Sequence, residues 1–268
     1  MPKAETVRRG QAGKIELRLV HSEGRYHGMA DGKPIVIGAD ADDVWRRLHN
    51  EVGRADSRYF GFDGARNRFL HWFEGGFRSE RFLAEERDYK VRAKAKLDAS
   101  APVEAAATGS GFREAALSAF RATNLLSPFE KTRLTAMLRS PEADAFVRGA
   151  AHFALGEVRN GLAHMQAASK PHDSAKWTVA TYLPFLWRPE SHMFLKPEVT
   201  KDFAVRVGHC FARDYQAGLH PSVYDSLLDL TEETCRELSS LEPRDRIDVQ
   251  SFIWVIGDYA EGRETPAP

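Results

Sequence analysis

Between Trp177 and Trp187 the chain runs WTVATYLPFLW, with apolar side chains at Trp177, Val179, Ala180, Tyr182, Leu183, Phe185, Leu186 and Trp187 and no consistent polar face. A helix that is apolar all round is stable only when enclosed on every side. The segment therefore has to sit at the centre of a core. Pro184 brings no N–H and its ring meets the preceding turn, which predicts a kink or a break there. The chain then turns at Arg188-Pro189, presents His192 and reaches Lys196-Pro197. Pro197 is suited to the first position of a new helix that ends near Gly208. Lys176, Arg188, His192 and Lys196 thus surround an apolar centre.

A core of that kind needs a chain able to fill it, and 268 residues with 43% hydrophobic content suffice. Lys plus Arg equals Asp plus Glu at 38 each, so attraction to nucleic acid or an anionic membrane has to come from a local patch. No apolar run approaches the roughly 18 residues of a spanning helix, and MPKAETVRRGQAGK lacks the apolar stretch of a signal peptide. The expectation is a cytoplasmic protein with no membrane association. Cys210 and Cys235 make neither a disulfide framework nor a thiolate zinc site.

Residues 1–13 are polar and read as a disordered start. From Lys14 the pattern alternates, with Ile15, Leu17 and Leu19 on one side and Glu16 and Arg18 on the other, which predicts a half-buried strand. A turn at His21 to Gly24, a strand from Arg25 to Ala30, a tight turn at Asp31-Gly32 and a strand from Ile35 to Ile37 complete a three-stranded antiparallel meander. Asp40 or Asp42 then caps a helix with Val44, Trp45, Leu48 and Val52 on its apolar face. This small domain spans 14–55. No convincing strand follows, so 56–258 reads as a large, mainly α-helical domain, and the chain as α+β. Within it, 99–111 is the linker candidate, because APVEAAATGSG is small and glycine-rich. Ser127-Pro128 and Ser140-Pro141 open helices with serine at the N-cap and proline next. Residues 259–268 read as a frayed tail.

The last helix, PRDRIDVQSFIWVIG, carries Val249, Phe252, Ile253 and Ile256 as a stripe that Ile247 and Val255 widen until the helix is nearly enclosed. Asp248 therefore needs a cation. Arg244, one turn back, is the first candidate, and a buried ion pair is the plainest outcome. Alternatively, Lys176, Arg188, His192, Lys196, Arg244 and Arg246 form a cationic pocket for a phosphate or carboxylate beside Asp248, with Trp177, Trp187 or Trp254 to stack a base. Lys90, Arg92, Lys94 and Lys96 flank the apolar stripe of Phe82, Tyr89, Ala93 and Leu97. They are either a solvated helix face or a phosphate-contacting one. FRATNLLSPFEK places Arg121, Asn124, Ser127, Glu130 and Lys131 at a corner that either caps a helix or receives a phosphate. The histidines show no metal-binding pair, and neither a phosphate loop, a nucleophile elbow nor a dinucleotide fingerprint is present. No metal and no cofactor are expected.

On SAKWTVATYLPFLWRPESHMFLKPEVT and PRDRIDVQSFIWV, with RATNLLSPFEK as a third block, the chain resembles a bacterial protein family of uncharacterised activity. That resemblance implies domain limits and no catalytic residue. The helix, proline-rich corner and following helix also resemble the base-pocket wall of helical DNA glycosylases. This implies an aspartate after the corner, where Lys196 and Pro197 stand and Asp202 is the nearest candidate. Three functions follow as expectations. The first is a nucleic-acid-associated protein binding DNA or RNA phosphates through Lys90, Arg92, Lys94 and Lys96 and through the Lys176 to Arg244 group. The second is a protein-interaction or regulatory module whose meander offers an edge strand to a partner, with Arg25 to His27 on the strand concerned. The third is a base-processing enzyme.

Overall fold

The computed structural model describes residues 4–12, 15–53 and 58–258. It is an α+β protein of two compact units, Met1–Ala65 with Lys201–Asp214, and Arg66–Thr200 with Tyr215–Pro268.

The first unit is built on an antiparallel sheet of four strands in the order β1 (Glu5–Ala12), β2 (Ile15–Ser22), β3 (Arg25–Ala30) and β4 (Lys33–Gly38). The expected meander is present, with one strand more than the alternation suggested. The stretch expected to be disordered supplies it: VRRGQA shows little hydrophobic alternation, yet its backbone pairs with β2 from Glu5↔His21 to Ala12↔Ile15. Backbone pairing at a sheet edge needs no apolar side chain, so periodicity does not reveal it. Residues 1–3, the β1–β2 connection at 13–14 and the tail at 259–268 lie outside the described residues. The two following turns use Glu23-Gly24 and Asp31-Gly32, all at positive φ, as two-residue hairpin loops require. Helix α1 (Ala41–Gly53) is capped by Asp40, whose carboxylate accepts from Asp43 N–H at 2.7 Å. Val44 and Leu48 bury against Leu17 and the backbone at Gly28, where a Cβ would lie 3.1 Å from Leu48.

The chain continues through α2 (Gly61–Trp72), α3 (Glu80–Phe82), a π-helical turn (Leu83–Arg87), α4 (Asp88–Ser100), α5 (Val103–Thr108), α6 (Arg113–Arg121), α7 (Pro128–Leu138), α8 (Ala143–Ala154) and α9 (Val158–Ser169). Then come α10 (Trp177–Trp187), α11 (Pro197–Val207), α12 (Phe211–Asp214), α13 (Pro221–Glu237) and α14 (Arg246–Asp258). No strand follows β4 among the described residues. The presumed linker is instead helix α5, with Ala101, Val103, Ala106 and Ala107 buried. Its small side chains serve close helix packing rather than flexibility. Ser127 and Glu130 form the reciprocal capping box that opens α7. At the next serine-proline pair, α8 starts later, at Ala143, and the Ser140 hydroxyl donates back to Met137 O.

Helix α10 is buried along its whole length and runs through Pro184 without ending there. Its polar atoms are satisfied from neighbouring segments. Trp177 Nε1 donates to Gln216 O at 3.0 Å, Trp187 Nε1 to Ala101 O at 2.9 Å, and Tyr182 OH to Ala119 O at 2.6 Å. Thr181 donates to Trp177 O and accepts from Leu195 N–H, which ties the strand-like segment after the corner back to the helix. A second apolar centre gathers Phe69, Phe73, Phe77, Phe82 and Phe252, with ring centroids 4.8–5.7 Å apart along the chain of contacts. Against it lies the most polar part of the interior.

Candidate functional site

That interior begins with the π turn. Asp88 N–H bonds to Leu83 O, an i→i+5 step that holds one more residue than an α turn. The residues that follow are displaced around the helix axis, and Lys90, rather than the expected Tyr89, joins Phe82, Ala93 and Leu97 on the inward stripe. Lys90 is fully buried. Its Nζ lies 2.7 Å from Ser251 Oγ and 3.5 Å from Glu86. Burial pushes its pKa down to about 8, against the field of Glu86 and Asp248, which favours the charged form.

One turn away, Asp248 is fully buried and accepts four hydrogen bonds. Arg244 gives its backbone N–H and Nε at 2.9 Å each and Nη2 at 3.1 Å, and Arg87 gives Nη1 at 2.8 Å. Arg87 also holds both oxygens of Asp245 at 2.7 Å, and Arg244 reaches Phe77 O at 2.8 Å. Asp245 in turn accepts from Ile247 N–H and so caps α14. The partner expected for Asp248 is therefore found, and Arg87, Lys90, Glu86 and Ser251 join it. The sequence marks Arg87 and Glu86 only as part of an exposed-looking acidic and basic run. The π turn that points them inward leaves no trace in spacing.

The other sequence candidates do not gather into a pocket. Lys176 pairs with Asp173 at 3.5 Å, Arg188 with Glu104 at 2.6 Å, and Lys196 stands 4.0 Å over the ring of Trp254. His192 is buried: its Nε2 faces Ala154 O at 3.1 Å, and its Nδ1 faces the Tyr224 hydroxyl at 3.2 Å, which also accepts from Met193 N–H. Burial lowers the His192 pKa and raises that of Tyr224, which favours the neutral form of each. Trp177 and Trp187 are enclosed and offer no stacking face. On α4, Lys94 bonds Asp98 at 2.8 Å and Trp187 O at 3.0 Å, and Arg92 and Lys96 alone of the basic four are exposed. At the α6–α7 corner, burial raises the Glu130 pKa, but bonds from Thr178 and Ser127 outweigh it and hold the carboxyl below its usual range. Capping accounts for Ser127 and Glu130 at that corner, and Lys131 Nζ donates to Thr123 O at 2.6 Å.

A cleft of about 700 Å³ opens beside the ionic cluster. It sets Arg236, Arg244 and Arg246 against Glu190, Glu232 and Asp245, with Glu242 at its rim. Arg244 and Asp245 are committed to the buried cluster, and Arg246 bonds Ser191 O. The cleft is thus of mixed charge and largely self-neutralised. Among the described residues no group of three or more acidic, histidine or cysteine side chains could hold a metal, and no helix is long and apolar enough to cross a membrane.

The N-terminal sheet differs, because one of its faces is open. Leu17, Leu19 and Gly28 face α1, as does Arg8, which bonds Asp42 at 2.8 Å and lies over Trp45. Successive strand residues alternate sides, so Arg9, Arg18, Val20, His27, Met29 and Ile37 face away. Cross-strand register brings them into rows: Thr6–Val20–His27–Ile37 and, beside it, Arg9–Arg18–Met29. Val7 is 50% exposed, Ile35 47% and Ile37 48%. Val7 and Ile35 are the two bulge residues, at the register shifts between Thr6 and Arg8 and opposite Gly28 and Met29. Sequence alternation identified the buried face of this sheet, while the exposed apolar positions depend on bulges that it could not show.

Comparison with known proteins finds no matching family model, no matching curated protein and no matching solved structure.

Proposed function

We propose that the chain is a binding protein without chemistry of its own, and that its contact surface for a partner protein is the open face of the β1–β4 sheet. The observation that carries this is the exposure of Val7, Ile35 and Ile37, all on the two edge strands of one small sheet. On the open face Ile37 shares a row with Val20, with Met29 in the next row, and apolar side chains grouped on an exposed face mark an interaction surface. In the helical unit, by contrast, the strongly perturbed ionisable groups are closed in, and each candidate cation except Arg92, Lys96 and Arg121 answers a carboxylate, a carbonyl or a ring. The partner lies across the sheet rather than extending it. Both edges carry a bulge, and Pro34 removes a donor from β4, all of which discourage strand addition. The strand expected to recruit a partner, Arg25 to His27, is paired on both sides in β3. Base stacking gains no support here, since Tyr26 packs with His21 on the other face.

A photo-crosslinking side chain placed at Ile37 in the native host tests this reading. The expected result is an adduct with a protein of defined mass that is absent when the same group replaces the exposed Leu155. Adducts from position 155 equal to those from 37, or adducts only when the same group is placed at Phe129, which is 83% exposed, would overturn it.

A further inference from the structure

The charge on the same face narrows the partner. Arg9 and Arg18 stand directly opposite each other on neighbouring strands. Like charges placed so close oppose folding of the sheet. Arg25 lies near the end of the face, exposed, and the only carboxylate in the rows of paired strand residues facing this way is Glu16, 3.7 Å from Arg18. Next to the arginines runs the apolar strip of Val20, Met29 and Ile37, with His27 between.

We infer that this face binds a partner segment that sets carboxylates beside a short apolar run; the inference rests on the interaction reading above. Carboxylates over Arg9 and Arg18 relieve the repulsion between them and form charge-assisted bonds with their forked guanidinium groups. Apolar side chains cover Val20, Met29 and Ile37. Three features select this occupant. A face combining arginine, methionine and branched apolar residues, with no lysine in its paired rows, has the composition of a protein interface. A second copy of the chain would bring Arg9 and Arg18 over the same arginines, with Glu16 alone to receive them. A nucleic-acid backbone would satisfy the arginines and leave Val20, Met29 and Ile37 against phosphates.

Fluorescence anisotropy on the full chain tests the inference with three labelled peptides. The first alternates glutamate with leucine and isoleucine, the second replaces every glutamate by lysine, and the third replaces every apolar residue by serine. Only the first is expected to bind, with affinity that falls as salt rises. Arg9→Ser with Arg18→Ser should weaken it by roughly tenfold and flatten the salt dependence. Met29→Ser with Ile37→Ser should abolish binding. Thermal unfolding should be unchanged for the arginine variant or slightly improved, since a repulsive pair is gone. Equal binding of the lysine peptide, or an arginine variant that binds like the original chain, overturns the inference. So does binding of a labelled oligonucleotide instead of the peptide, and so does dimerisation abolished by the Met29 and Ile37 changes. A protein adduct at position 37 alongside failure of the acidic peptide refutes the partner chemistry alone, whereas no adduct at 37 refutes the interaction reading beneath it.

Discussion

Replacing Asp248 by asparagine tests whether the buried ionic cluster holds α14 in place. The substitution keeps shape and removes one charge. The new amide still accepts through its oxygen, but its NH₂ group faces donors of Arg87 or Arg244, where the carboxylate accepted four bonds. Removing one partner of a buried pair costs about 3–5 kcal/mol. Two features place this site at the lower bound. Arg87 keeps its paired bonds to Asp245, and the Arg244 side chain, 34% exposed, can turn to water. A loss of about 3 kcal/mol corresponds to a fall in Tm of roughly 6–12 °C for a chain of this size. Urea and thermal unfolding followed by circular dichroism measure it. Adding Arg87→Met should cost less than the sum of the two single changes, because both members of the pair are then absent. A loss below about 1 kcal/mol, the level of an exposed ion pair, would refute the reasoning, as would strict additivity of the two changes.

The Lys90 ammonium is pushed down by burial to about 8 from an ordinary 10.5. Between those values the unfolded chain holds a proton that the folded chain has released, so stability gains from this residue as pH rises through that window. Urea midpoints from pH 7 to 10 should therefore rise in the original chain relative to Lys90→Met; parallel profiles would contradict this. His49 in the first unit is pushed down to about 4 from 6.5, chiefly by burial and then by the charge of Arg213. As pH falls from 6.5 towards 4 the unfolded chain takes up a proton that the folded chain refuses, so stability is lost, and His49→Gln, which can still accept from Arg213, should flatten that acid limb. If the acid limb is the same in both, His49 does not cause it. At the α8–α9 crossing a Cβ on Gly161 would lie 2.6 Å from Gly149 O and 2.7 Å from Phe153 N. Backbone on both sides cannot yield as a flexible side chain would, so Gly161→Ala should destabilise by about 1–3 kcal/mol. An unchanged unfolding midpoint would show that the helices separate freely.

Much of the fold was legible because apolar pattern and capping chemistry act locally. The enclosed α10, the α14 stripe, Pro197 opening α11, Gly208 at positive φ beyond it and the Asp31-Gly32 hairpin each follow from a few neighbouring residues. What was illegible depends on partners distant in sequence. Strand β1 exists because β2 offers it an edge. Helix α5 looks like a linker because alanine and glycine serve close packing and flexibility alike. The cation candidates on α4 were misplaced by the π turn, which no spacing rule registers. Asp248 could be given Arg244 from a four-residue step, but Arg87 lies 161 positions away.

The same division locates function. A buried charge network constrains packing, because each member is answered by another and water is excluded. It leaves no unsatisfied group to bind a ligand. Lys90 illustrates the point: its lowered pKa would suit a proton-transfer role, yet Ser251 and Glu86 occupy its donors and no surface reaches it. An arginine pair facing solvent on adjacent strands is the opposite case, since the chain itself offers it little more than Glu16. Groups that a fold leaves mutually repulsive and beside an exposed isoleucine gain most from an outside partner. The open sheet face therefore carries the stronger claim to recognition, although the helical unit holds most of the titratable groups with shifted pKa values.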